Sequence, residues 1–170
     1  MKILKKVLYI LKIVFFTLFL FNNVCASEIS SISIIDYGVT KSTIIDKSSA
    51  EMTIAGTIKM TKNPSVIKHT NKIPAKIGSS FGVIYIINGD IKNIIVPIDI
   101  QVSHPPMVNP KTKKIITTQK LQLKHSIGQE HHFSFTFDNE YELAAIGKWI
   151  FQFSHNGKLI AEQPFDIIKH

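Results

Sequence analysis

Seven histidines are the most chemically versatile side chains in this 170-residue chain. Imidazole binds transition metals, and it titrates close to neutral pH. His131 and His132 are adjacent, so on an extended strand they point to opposite faces and cannot chelate one ion together. No His-x-His pair, the spacing a strand would need, occurs anywhere. Three histidines nevertheless fall in phase with apolar faces at strand ends. His131 is in phase with Phe133, Phe135 and Phe137, and His155 with Trp149, Phe151 and Phe153. His104 is in phase with Val96, Ile98, Ile100 and Val102. If consecutive strands run up and down, His125, His131 and His155 share one pole, here called the bottom. That trio is a candidate site for a transition metal ion or for acid sensing. The plainer alternative is three strand-end residues that cap a core.

Gly78-Ser79-Ser80-Phe81-Gly82 matches the G-x-S-x-G nucleophile elbow by letter. The elbow needs a strand, a sharp turn and then a helix to present its serine. Here the next residues are VIYIING, which have the period of a strand. The stretch therefore reads as a polar loop. Glu140 and Glu142 are two apart at an apolar core edge, and a domain of strands and short loops has little room for the deep groove that glycoside hydrolysis requires. No nucleophile–base pair or acid pair stands out, and the chain is expected to be non-enzymatic.

The elements that must position these residues are β throughout. Runs rich in Ile, Val, Phe and Thr alternate with polar residues between turn signals. Strands are expected near Ile32–Val39, Glu51–Met60, Val66–Lys76, Phe81–Ile87, Ile94–His104, Ile115–Lys124, His131–Phe137, Lys148–Ser154 and Leu159–Ile168. Glu140–Ala145 has room for one helical turn. Many short strands at this spacing imply a β-sandwich or barrel. Asn88-Gly89-Asp90 reads as a tight hairpin turn. Around His155-Asn156-Gly157, a three-residue turn sets Phe151 opposite Ala161 and Phe153 opposite Leu159. This keeps Phe165 and Ile167 on the buried face.

The first 26 residues read as a signal peptide. Lys2, Lys5 and Lys6 precede an apolar run, densest from Ile13 to Phe21, and Val24-Cys25-Ala26 resembles a cleavage site. The clean apolar run is too short for a membrane span of about 20 residues. Cleavage after Ala26 leaves a single domain over 27–170 and removes the only cysteine, so no disulfide or thiolate chemistry is expected. It also lowers the net charge from +8 to +4, because four lysines leave with the leader. Arginine is absent, which disfavours phosphate and base recognition by bidentate guanidinium. The lysines are scattered, with no aromatic platform between them, so nucleic acid is not an expected partner. No amphipathic membrane helix comes after the leader, so no stable membrane insertion is expected once it is cut. The expected location is periplasmic or secreted.

The stretches IDYG (from Ile35), IPAKIGSSFG (from Ile73), HPPMVNP (from His104), FDNEYEL (from Phe137), GKWIFQF (from Gly147) and LIAEQPF (from Leu159) carry a further signal. Together and in order, they resemble the bacterial family called domain of unknown function 3859. The resemblance covers nearly the whole chain after the leader. It implies a secreted, immunoglobulin-like antiparallel β-sandwich, which fits the about 7–9 strands read here. It implies no activity and supplies no catalytic residues. The loop holding Ser79 and Ser80 is expected to vary in that family, against a catalytic role for either serine. Tyr141 is expected to anchor the turn before Trp149, as a tyrosine corner does in immunoglobulin domains.

The same up-and-down bookkeeping places Lys76–Ser80, Pro105–Lys114 and Asp138–Ile146 at the opposite, top pole. The middle loop is stiffened by Pro105, Pro106 and Pro110 and charged by Lys111, Lys113 and Lys114. Met107 and Val108 are apolar and expected to be exposed. Loops gathered on a rigid scaffold commonly carry binding, and stiff loops lose less entropy when they bind. His104, Pro105, Pro106, Met107, Asn109, Lys111 and Glu140 are therefore candidate contacts for a protein or cell-surface partner. A non-catalytic binding or accessory module is the leading expectation. A metal-binding or pH-responsive protein using His125, His131 and His155 is the alternative.

Overall fold

The computed structural model describes residues 29–49, 57–109 and 113–170. The signal-peptide reading of residues 1–26, with Cys25, lies outside the described residues, as do Pro110, Lys111 and the first part of the strand expected at Glu51–Met60. Nine strands are described: β1 (Ile29–Ser49), β2 (Thr57–His69), β3 (Lys72–Ala75), β4 (Ser80–Gly89), β5 (Ile95–Val108), β6 (Ile115–Ser126), β7 (Glu130–Thr136), β8 (Gly147–His155) and β9 (Lys158–Lys169). A 3-10 turn, Glu140–Ala144, occupies the segment expected to hold one helical turn. The strands form two sheets, in the orders β2-β1-β4-β7 and β3-β9-β8-β5-β6.

The sheets pack as a sandwich because alternate residues of each strand are apolar and point the same way. Phe81, Val83, Tyr85 and Ile87 of β4 meet Trp149, Phe151 and Phe153 of β8, Ile98, Ile100 and Val102 of β5, and Phe165 and Ile167 of β9. Phe81 is the hub. Its ring centroid lies 5.1 Å from Phe165, 5.4 Å from Phe151, 5.6 Å from Trp149, 5.7 Å from Phe137 and 5.8 Å from Phe135.

Three local expectations are corrected. Val66–Lys76 is not one strand. The chain leaves the first sheet after His69 and joins the second at Lys72, where β3 pairs parallel to β9. The switch is held by the Asp166 amide donating to the Asn71 carbonyl (2.7 Å) and the Lys72 amide donating to Thr70 Oγ1 (3.1 Å). Asn88-Gly89-Asp90 does not close a hairpin. β4 pairs with β1 and β7, whereas β5 pairs with β6 and β8, so the connection crosses between sheets. A crossover and a hairpin bury the same alternate residues, so the apolar pattern is identical for both.

The third correction concerns the β8–β9 hairpin. Asn156 (φ 50°) and Gly157 (φ 77°) form a two-residue turn with His155 opposite Lys158. A register shift between Phe153 and Ser154 then sets Phe153 opposite Ala161 and Phe151 opposite Gln163. The expected pairing is displaced by two residues. An even displacement preserves the faces, so Phe165 and Ile167 are buried as expected.

β1 is long enough to serve two partners. Its first half pairs with β4 and its second with β2, with register shifts at Val39/Thr40, Lys41/Thr43 and Ile44/Asp46. Bulges of this kind bend a strand and increase its twist. The β1–β2 hairpin beyond Val39 thus becomes an arm that reaches β7. Thr40 Oγ1 lies 2.9 Å from Ser80 Oγ, Thr61 Oγ1 lies 2.7 Å from His132 Nε2, and Lys59 Nζ donates to Asp138 at 2.6 Å. Close packing of β4 against β7 depends on Gly82. A Cβ there would lie 2.2 Å from the Phe133 carbonyl oxygen and 2.7 Å from Ser134 Cα.

Candidate functional site

The top-pole loops do converge. The Gly78 amide donates to the Phe137 carbonyl at 2.8 Å, and Pro105 packs over Gly147. The first part of the expected stiff loop, Pro105–Val108, is strand, however. β5 continues through Pro105 and Pro106, with a register irregularity, to pair Met107 with Ile116 and Val108 with Ile115. Backbone bonds then tie Asn109 to Lys113 and Lys114 across the hairpin end. His104 and Met107 are only 7% and 1% exposed. Both are corrected from partner contacts to core residues: the inward period of β5 runs to His104, and the irregularity between Ser103 and Met107 shifts the phase so that Met107 also points inward. His104 packs on Trp149 with tilted rings and centroids 4.7 Å apart, and its Nδ1–H donates to the Pro105 carbonyl at 2.7 Å. Burial lowers its pKa, although that backbone bond pulls the other way. Of the remaining candidates, Pro106 and Glu140 are exposed, while Pro105 and Asn109 are half-buried.

The acidic corner beside them is structural. Glu142 is fully buried and accepts from the Asp138 amide (2.7 Å), the Asn139 amide (3.0 Å) and Asn139 Nδ2 (2.8 Å). The Trp149 indole N–H donates to the Ala145 carbonyl at 2.8 Å. Glu142, which the sequence presents only as half of an acid pair, anchors the corner; Tyr141 packs half-buried against the core.

At the bottom, two of the three candidate histidines meet. β6 and β7 are edge strands of opposite sheets. His125 and His131 stack across that seam with ring centroids 4.1 Å apart and planes 19° from parallel. His125 Nδ1 lies 2.9 Å from the hydroxyl of fully buried Tyr85. His131 donates from Nε2 to the Ser126 carbonyl at 2.8 Å. Burial pushes the His125 pKa down to about 4, assisted by His131 and His132, and burial pushes the Tyr85 phenol up.

His155 does not join them. It belongs to β8, and β5 lies between β8 and β6, which separates the two by roughly 10 Å of sheet. Its Nδ1–H donates to the Pro97 carbonyl at 2.8 Å. Among the described residues, no group of three or more His, Cys, Asp or Glu is placed to hold a metal ion. The expected trio is corrected to a stacked pair with His155 apart.

The same seam opens into a groove that local sequence patterns do not show. A cavity of about 530 Å³ lies between the arm, β7 and β6. The arm supplies Ile44, Ile58 and Met60, and β6 supplies Leu121, Leu123 and His125. β7 lines it with five consecutive residues, His132–Thr136, so the groove runs along that strand's free edge and not over one face. Ile44 and Met60 are 54% and 55% exposed. The only signal for them in the sequence is a pair of large aliphatics on strands otherwise rich in Thr, Ser and Lys.

A family model described as Domain of unknown function (DUF3859) matches residues 29–167. The chain belongs to the DUF3859 family. Its fold is also similar to a crystal structure of an immunoglobulin-like protein from Pseudomonas aeruginosa, with a TM-score of 0.55 and 20% sequence identity. The match covers 82% of this chain and 98% of the other. No curated protein matches at a significant level. This DUF3859 domain is therefore an immunoglobulin-like β-sandwich, as the ordered sequence fragments imply. Among its described residues, no helix is long and apolar enough to cross a membrane.

Proposed function

We propose that this protein is a non-catalytic binding module whose groove takes an extended peptide segment of a partner protein alongside β7. The observation that carries this reading is that β7, among the described strands, is an edge strand lining the groove with consecutive residues. An added strand would bond to the main chain of β7 and place alternate side chains against the arm and β6. The two edges differ in protection. β6 exposes Lys120 and Lys124, the kind of charge that blunts an edge, whereas His132–Thr136 of β7 contains no lysine, acid or proline. The groove volume is within the usual range for ligand sites. The leader-like N-terminus supports a partner met in the periplasm or outside the cell.

Fluorescence polarisation with a labelled peptide alternating Val and Thr between terminal Glu residues tests the groove. Met60→Asp should weaken binding by about tenfold or more, since it places a charge in an apolar wall. Glu140→Ala at the top pole should leave binding unchanged. Absence of binding to the native protein, or equal binding by Met60→Asp, would sink the reading.

A further inference from the structure

We propose that the His125–His131 stack is a proton gate on this groove, and that protonating His125 parts β6 from β7. The gate's purpose rests on the groove reading above; its geometry does not. The two rings meet between the edge strands beside the groove, which His125 lines. Tyr85 Oη and His125 Nδ1 lie 2.9 Å apart, and in the neutral tautomer with hydrogen on Nε2 the hydroxyl donates to the Nδ1 lone pair. An imidazolium at His125 carries hydrogen on Nδ1 and can no longer accept. The Tyr85 proton is then left without that acceptor in a fully buried site. The His131 ring, stacked 4.1 Å away, further disfavours a positive charge on His125.

The surroundings offer little to absorb that charge. Tyr85 faces the pair from β4, and Val96 of β5 is the cross-strand neighbour of His125. His132 and Glu130 flank His131 on the opposite face of β7, and Lys124 precedes His125 on β6. Lys41 and the Lys59–Asp138 ion pair line the groove from the arm and the far end of β7. Lys92 covers Gly128 in the turn that joins β6 to β7. Among the described residues, the one carboxylate lining the groove is Asp138, which is already paired with lysine.

The sign comes from the direction of the shift. The unfolded histidine takes its proton near pH 6.5, whereas folded His125 resists until about 4. Within that window the open or unfolded chain binds more protons, so closure weakens as pH falls from about 6.5 and the loss is complete below about 4.

Hydrogen-exchange mass spectrometry of the full chain, with protection factors corrected for intrinsic rates, tests the gate. Between about pH 7 and pH 4, protection in β6 and β7 should fall by about tenfold while β8 and β9 hold. His125→Gln keeps an acceptor for the Tyr85 hydroxyl without a titrating group and should abolish the fall; Trp149 fluorescence reports whether that variant folds. His131→Phe, which keeps a stacked ring beside a His125 that is still partly buried, is the second variant and should only reduce the fall. Protection in β6 and β7 that is independent of pH, or that falls equally in folded His125→Gln, overturns the gate. The labelled Val/Thr peptide separates the two ideas. Peptide binding with pH-independent protection keeps the groove and rejects the gate. A pH-dependent seam without peptide binding keeps the gate and rejects the groove reading.

Discussion

The sandwich has a sealed side and an open side, built from the same alternation of residues. On the sealed side, Phe81 sits among Phe135, Phe137, Trp149, Phe151 and Phe165, and the large rings there are almost wholly buried. On the open side, Phe133, Leu121 and Leu123 point inward with the same period but are only half-buried. The histidines repeat the contrast. His104 is locked against Trp149 within the core, whereas His125 lines the groove. Inward-pointing and buried are therefore different properties. A residue on an edge strand is buried only if something covers the seam, and here an arm bridges it without filling it.

Paired truncations put this contrast to its strongest test. Phe81→Ala should cost about 3–5 kcal/mol, because it opens a cavity that rigid neighbours cannot close. Phe133→Ala should cost less, about 1–2 kcal/mol, since Phe133 is only partly buried and its loss opens toward the groove. Chemical denaturation of both variants would read the difference, and equal losses would mean the seam is as sealed as the core.

Gly82→Ala sharpens the boundary between the two sides. The added methyl would meet the backbone of β7, which cannot yield as a flexible side chain would. Overpacking of this kind should cost about 1–3 kcal/mol. The loss should appear first as faster amide exchange in β7, with β8 and β9 less affected.

The smallest effect belongs to the arm. Lys59→Met removes the ion pair with Asp138, whose side chains are 19% and 30% exposed. The expected change in stability is under about 1 kcal/mol, as for most pairs near solvent. A much larger loss in denaturant melts would show that the arm is part of the core and not a cover over the groove.

Much of the fold was legible because strand alternation is local. Phe81–Ile87 and Lys148–Ser154 read as strands from their own residues, and both are found there. The faces of Phe165 and Ile167 were also legible, although the pairing register was not. A bulge near Ser154 shifts the partners by two while leaving the faces unchanged. The site was less legible. His125 and His131 are six residues apart on consecutive strands, so their meeting depends on one turn. His155 requires knowing that β5 lies between β8 and β6, a fact of sheet order that no local pattern carries. Met107 misled because two prolines resemble a loop, yet the irregular strand carries its side chain inward.

By itself, the sequence determined strands β4 to β9, their two-faced character and the family to which the chain belongs. Each depends on residue types within a few positions of one another, or on fragments in a fixed order. Tertiary structure alone decided which strands are edges, that the β1–β2 arm bends over β7, and that a groove remains between β7 and β6. Those outcomes depend on pairings between residues far apart in the chain and on how tightly two sheets approach. The packing of the assembled sandwich sets that approach, and no strand encodes it alone.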